Sequence, residues 1–175
     1  GLDNPLAGFH NRSITRGNSL ISNLTISYAL VKGLNLKSNF GFTNFRSDEV
    51  VKRPKRSYNP VSWENLNHRS THLSINRKSW IIEPQLNYKI NFGRTNFDAI
   101  VGATFQQSAN STLDLQGEGY VSESLIGNLS AAEDVSSSDA RTSDYRYNAL
   151  FARLGANWNG KYFLNLTARR DGSSR

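Results

Sequence analysis

The sequence predicts an all-β chain, an antiparallel meander of about six amphipathic strands, and three observations carry that prediction. Apolar residues recur at every second position for about ten residues at a time. Tight turns join these segments in pairs, and long polar stretches separate the pairs.

The first segment places Leu20, Leu24, Ile26, Tyr28 and Leu30 opposite Asn23, Thr25 and Ser27. In the second, Leu34, Leu36, Phe40 and Phe42 oppose Asn35, Lys37, Asn39 and Thr43. The third sets Trp80, Ile82, Leu86 and Tyr88 against Glu83, Gln85, Asn87 and Lys89, and Pro84 inside it predicts a bulge or irregular pairing. The fourth sets Phe97, Ala99, Val101, Ala103 and Phe105 against Asn96, Asp98 and Thr104. Leu150, Leu154, Ala156 and Trp158 form the apolar side of the fifth, against Arg153, Gly155 and Asn157. Tyr162, Leu164, Leu166 and Ala168 do so in the sixth, against Asn165, Thr167 and Arg169. Ile81 and Phe151 break the polar faces.

The turns fall at Val31 to Gly33, Asn91 to Arg94 and Asn159-Gly160, the last a pair suited to a type I′ hairpin. Between hairpins, Arg46 to Lys78 and Gln106 to Asp144 read as long polar loops, well beyond ordinary hairpin length. Short turns on one side and long loops on the other match an outer-membrane β-barrel. Tyr28, Trp80, Tyr88, Phe97, Phe105, Trp158 and Tyr162 lie near the ends of the apolar stripes, where aromatic rings mark membrane interfaces. A soluble β-sandwich alternates too, with its apolar side turned inward. Alternation alone leaves both architectures open.

Composition removes several classes. No apolar run approaches the ~20 residues of a membrane helix. With no cysteine there is no disulfide framework, thiol nucleophile or thiolate metal site. The net charge of +7 includes the cluster Lys52, Arg53, Lys55 and Arg56, but only Tyr58 adjoins it for base stacking, so it reads as a solvated loop and not a nucleic-acid site. The chain starts at Gly1, holds no methionine and stops just after a strand-like segment, which predicts an internal piece of a larger protein. Six strands are also fewer than the eight or more usual in a bacterial single-chain barrel.

Three passages resemble the SusC/RagA family of TonB-dependent outer-membrane transporters of Bacteroidetes: N-P-L-A at Asn4 to Ala7, A-L-F-A-R-L-G-A-N-W-N-G-K-Y-F-L-N-L-T-A at Ala149 to Ala168, and R-R-D-G-S-S-R at Arg169 to Arg175. The resemblance implies that the whole of 1–175 is a partial barrel domain of a large transmembrane β-barrel, lacking the plug domain and the remaining strands. It further implies an importer in the cell outer membrane, in contact with its lipid. Glycan or peptide fragments would be the substrate, a SusD-like lipoprotein the partner, and TonB the energy source through a region absent here. A soluble β-sandwich adhesion or carbohydrate-binding module is the alternative.

Candidate sites follow from the faces. Lys37, Glu83, Lys89, Arg153, Arg169 and Asp171 lie on the polar stripe, which in a barrel faces the lumen, with wall lining as the default role. Tyr58, Trp63 and Tyr120 fall in the long loops, where they are candidates for extracellular contacts with sugar rings or a partner protein. Glu64, His68 and His72 have the spacing of three metal ligands on a helix, but no helical signal surrounds them. The three histidines belong to no catalytic or zinc motif, no cofactor fingerprint is present, and the expectation is a chain that is not an enzyme.

Overall fold

The computed structural model of the chain describes residues 7–174. Six strands follow one another: β1 (Arg12–Val31), β2 (Leu34–Arg53), β3 (His68–Phe92), β4 (Thr95–Tyr120), β5 (Asp134–Trp158) and β6 (Tyr162–Ser173). They form one sheet in sequence order, each strand hydrogen-bonded to the next. The expected meander is therefore present. Among the described residues no second sheet covers it, whereas a sandwich is built from two. Asn4, Pro5 and Leu6 of the N-P-L-A passage, and the final Arg175, lie outside the described residues.

The tight turns form for local reasons. Gly33 and Gly93 adopt φ of +84° and +61°, values that cost a glycine little. Asn159 and Gly160 both take positive φ, 55° and 66°, as a type I′ turn demands, and Lys161 N donates to Trp158 O at 3.1 Å. Pro84 does not interrupt β3, which runs unbroken from His68 to Phe92.

The loops are shorter than the sequence predicts. β2 continues to Arg53 and β3 already starts at His68; β4 continues to Tyr120 and β5 starts at Asp134. Only residues 54–67 and 121–133 remain as connections. Alternation ends where the apolar band ends, but ladder hydrogen bonds use the backbone and continue through Ser, Thr, Asn and charged residues. Cross-strand polar pairs support these extensions: Ser13 Oγ donates to Glu49 Oε1 at 2.6 Å, Ser74 Oγ to Asp48 Oδ1 at 2.7 Å, and Arg77 Nε to Asn110 Oδ1 at 3.1 Å.

Contacts divide the chain into two units. One holds the chain through Ser19 with Phe45–Arg77 and Asn110–Ser143; the other holds Leu20–Asn44, Lys78–Ala109 and the residues from Asp144 onward. The second unit carries the apolar stripes. Register between β5 and β6 pairs Leu154 with Leu166, Ala156 with Leu164 and Trp158 with Tyr162 on one face. Arg153 with Thr167 and Phe151 with Arg169 occupy the other. The apolar face is bare: Leu24 is 56% exposed and Leu166 55%. In water such a surface would be a liability, whereas lipid solvates it.

The two residues that break the polar face have a packing reason. Ile81 on β3 stands over Gly41 on β2, and the Phe151 ring on β5 stands over Gly102 on β4. A Cβ at Gly102 would meet Phe151 Cζ at 2.4 Å, and one at Gly41 would meet Ile81 Cγ2 at 2.7 Å. Each large side chain fills the space its neighbouring glycine leaves. We expect Gly102→Ala to cost about 1–3 kcal/mol of barrel stability by overpacking, and Phe151→Leu to recover part of that loss. A double-mutant cycle in the parent protein measures the coupling, and strictly additive effects would contradict it.

The bare face leads to a second expectation. Leu154→Arg or Leu166→Arg should cost ~2–4 kcal/mol when the parent folds into bilayers, and Asn157→Arg on the other face much less. Urea titration in lipid vesicles makes the comparison. Equal costs on the two faces would contradict the lipid-facing assignment.

Candidate functional site: the polar face and the loop cap

On the polar face of the unit that bears the apolar stripes, neighbouring strands exchange side-chain contacts. Thr25 Oγ1 donates to Asn39 Oδ1 at 3.0 Å, Thr104 Oγ1 lies 3.5 Å from Glu83 Oε1, and Arg153 Nη2 lies 3.4 Å from Asn165 Oδ1. Lys37 stands half-buried on this face, two residues from Asn39. The structure brings Lys89 and Arg153 to one depression, with Asp98 between their strands. Asp98 was not singled out in the sequence. The signal for it was Gly155 on the adjacent strand, whose missing side chain leaves room: a Cβ there would lie 2.2 Å from Asp98 Oδ1.

Arg169 and Asp171 form a cluster with a third residue that sequence reasoning missed, Tyr147. Arg169 Nε donates to Asp171 Oδ1 at 2.8 Å, Arg169 Nη2 to the Tyr147 hydroxyl at 2.5 Å, and that hydroxyl to Asp171 Oδ1 at 2.6 Å. β5 and β6 share a register in which Tyr147 opposes Ser173 and Ala149 opposes Asp171, so the cluster spans two strands on one face. A two-residue turn at Asn159-Gly160 would pair Trp158 with Lys161, whereas the strands pair Trp158 with Tyr162, a register that the turn sequence alone does not give. The site is a set of charged and hydrogen-bonding groups along an exposed face, suited to polar solutes or a polar protein surface.

The other unit ends in a loop cap. Residues 54–67 hold short 3₁₀ helices at Lys55–Ser57 and Pro60–Asn65, and residues 121–133 hold others at Glu123–Leu125 and Leu129–Ala131. Arg56 Nε meets Glu123 Oε1 at 3.0 Å, tying the two connections together. Such an exposed pair adds little stability, so apolar burial does more. Ile126 and Tyr120 are almost fully buried.

Tyr120 therefore corrects an expectation. It is the last residue of β4 and not a loop residue, it is 4% exposed, and its hydroxyl lies 2.6 Å from Ser70 Oγ. Gly117 admits the ring, since a Cβ there would come within 2.3 Å of the Tyr120 hydroxyl. Tyr120 holds the cap together and has no surface to offer a solute or partner. Trp63 remains accessible and Tyr58 is half-buried, and the Trp63 indole N–H is occupied by Tyr58 O at 3.1 Å.

The histidines go to structural roles. His68 Nδ1 accepts from Lys55 N at 3.0 Å, anchoring the start of the first connection. His72 Nε2 lies 3.1 Å from Ser70 Oγ. Glu64 sits in the 3₁₀ helix while both histidines sit on β3, so the helical metal spacing is not realised. Among the described residues no three His, Asp or Glu side chains gather to hold a metal. Ser70, though next to a histidine, is 1% exposed and bonded to Tyr120, so its hydroxyl is closed to any substrate.

Burial lowers the His72 pKa below its ordinary 6.5, and the positive charge of Lys52 lowers it further. The ring, Ser70 and Tyr120 form one chain of contacts, His72 Nε2 at 3.1 Å from Ser70 Oγ and Ser70 Oγ at 2.6 Å from the Tyr120 hydroxyl. Above pH 6.5 the folded and unfolded chains are both neutral at this residue. As the pH falls through 6.5 the unfolded chain takes up the proton first, so the cap loses stability on the acid side. Amide exchange around Ser70 and Tyr120 in the parent, corrected for the intrinsic pH dependence of exchange, is expected to quicken between pH 7.5 and 5.5, a span chosen about the imidazole's ordinary pKa of roughly 6.5. His72→Gln should remove that trend, and a trend that persists in this variant would exclude His72 as its source.

No protein-family model matches the chain. In sequence it is similar to TonB-dependent receptor P3 of Formosa agariphila, 22% identical over 175 residues, and to TonB-dependent receptor P26 of the same organism, 29% identical over 106 residues. It spans 17% of the length of the first and 10% of the second. In structure it is similar to the RagAB peptide transporter, with a TM-score of 0.83 at 18% identity over 98% of this chain and 19% of that one. The RagAB importer in its open-open state gives 0.84 over the same shares. The siderophore receptor PiuA of Acinetobacter baumannii gives 0.57 at 13% identity over 93% of this chain and 26% of that one. By name these relatives are receptors and a transporter. The bare apolar face, the six-stranded meander and both likenesses meet in one conclusion: the chain is similar in sequence to TonB-dependent receptors and has the fold of a stretch of β-barrel wall like that of the RagAB transporter.

Proposed function

We propose that the parent protein is an outer-membrane nutrient importer driven through TonB, and that this chain forms part of its wall. Its substrates are oligomeric nutrients, glycan or peptide fragments, taken up together with a SusD-like lipoprotein. The observation that carries this reading is the contrast in fold likeness: 0.83 to RagAB against 0.57 to a siderophore receptor. RagAB is a peptide transporter, which favours peptides as the first class to test. The polar face, with Lys37, Glu83, Lys89, Arg153, Arg169 and Asp171, then lines the lumen, and the loop cap lies on the side where solute arrives. The plug and the TonB-contact segment belong to other parts of the parent.

Uptake of labelled oligopeptides and oligosaccharides by cells with and without the parent tests the substrate class. Dependence on neither would reject import of either polymer. At the cap, Val61 is 88% exposed and Trp63 is accessible beside it, on a connection tied down by His68 and Arg56. Loops on a rigid scaffold commonly carry recognition. Val61→Ser with Trp63→Ala is expected to lower uptake or lipoprotein co-purification several-fold, as loss of an apolar anchor does, with the folded barrel band on unheated gels unchanged. Full uptake and full co-purification in this variant would exclude the connection from recognition.

A further inference from the structure

We infer that the end of the apolar face away from the tight turns binds an anionic, phosphate-bearing lipid headgroup. The charge pattern leads there. Within the unit that bears the apolar stripes, the charged side chains at apolar-face positions of the strands are Lys78, Asp144, Arg146 and Arg170. All four lie at the edge of the apolar stripes away from the turns, where the strands continue into polar sequence, while the turn ends carry Leu30, Leu34, Ile90, Phe97, Trp158 and Tyr162 at the same positions. A solvated surface has no reason to divide its charges in this way. A bilayer with anionic headgroups at one boundary does.

The contacts say which charges remain to meet a ligand. Asp144 accepts both from Gln107 Nε2, at 3.1 Å, and from Arg146 Nη2, at 3.3 Å, so it is neutralised within the sheet. Lys78 and Arg170 have no carboxylate partner among the described residues. The Lys78 ammonium lies 5.9 Å from the centre of the Phe42 ring, which places it at the aromatic edge of the apolar face. Arg170 opposes Leu150 in the register and borders a shallow depression with Phe105 and Leu150. That depression offers apolar walls for an acyl chain and a guanidinium at its rim for the phosphate. Long basic side chains at such a boundary keep their stems on apolar surface and their charge at headgroup level.

The experiment uses the full parent receptor reconstituted in phosphatidylcholine, probed with spin-labelled phosphatidylglycerol and spin-labelled phosphatidylcholine. We expect the parent to retain the anionic probe preferentially. Lys78→Gln with Arg170→Gln should reduce that preference by about five-fold per cation removed, while Lys78→Arg preserves it. A charge-matched pair in the other unit, Lys55→Gln with Arg141→Gln, should leave it unchanged. The folded band on unheated gels confirms that each variant is intact. Equal retention of the two probes by the parent, an unchanged preference in the Lys78 and Arg170 variant, or an equal loss in the charge-matched pair would each overturn the assignment. Competition by excess inorganic phosphate alone would also overturn it, because the ligand would then be the free anion.

Discussion

The rest of this structure depends on the backbone ladder by which each strand pairs with its sequence neighbours. Hydrocarbon offers no hydrogen bonds, so a strand crosses it only when both neighbours complete its pairing. Sequence-adjacent antiparallel pairing meets that demand with the shortest connections, and the order β1 to β6 is its result. One consequence is that the sheet needs no second layer. Lipid covers Leu24, Leu154 and Leu166 in the way a packed core covers the inner face of a soluble sandwich.

A single sheet still has to pack against itself, and here that happens on the polar face. Gly41 with Ile81 and Gly102 with Phe151 are matched pairs of absence and bulk on neighbouring strands. Asp98 and Gly155 repeat the device with a charge in place of a hydrocarbon group. These pairs explain why an otherwise polar stripe contains isoleucine and phenylalanine. They also set which polar groups remain available, because side chains that fill glycine gaps are committed to the wall while Lys89, Arg153 and the Arg169 cluster stand exposed.

Past the apolar residues the ladder carries on through polar sequence into connections with a buried layer beneath an exposed one. Tyr120, Ser70 and Ile126 form a small buried core under the cap, and Arg56 with Glu123 ties its two strips of chain. Such a core lets Val61 and Trp63 stay exposed without unravelling the loops that present them. His72 belongs to the supporting layer, so its titration bears on the cap's rigidity and not on chemistry with a solute.

Sequence alone determined the period, and the period determined the meander. Two-residue alternation and the Asn159-Gly160 turn required hairpins with one apolar face, and the passages Asn4 to Ala7, Ala149 to Ala168 and Arg169 to Arg175 carried the resemblance to barrel transporters. The polar-stripe residues could be placed on a face because parity is a property of the chain itself. Tertiary structure decided what parity cannot reach. Strand ends were misread because the apolar signal stops at the band edge while backbone pairing does not. Tyr120 looked like a loop aromatic because its burial comes from Ser70, fifty positions away in the chain, and from the space left by Gly117. Tyr147 and Asp98 stayed hidden because their partners lie on the next strand, and only the register between strands brings them together.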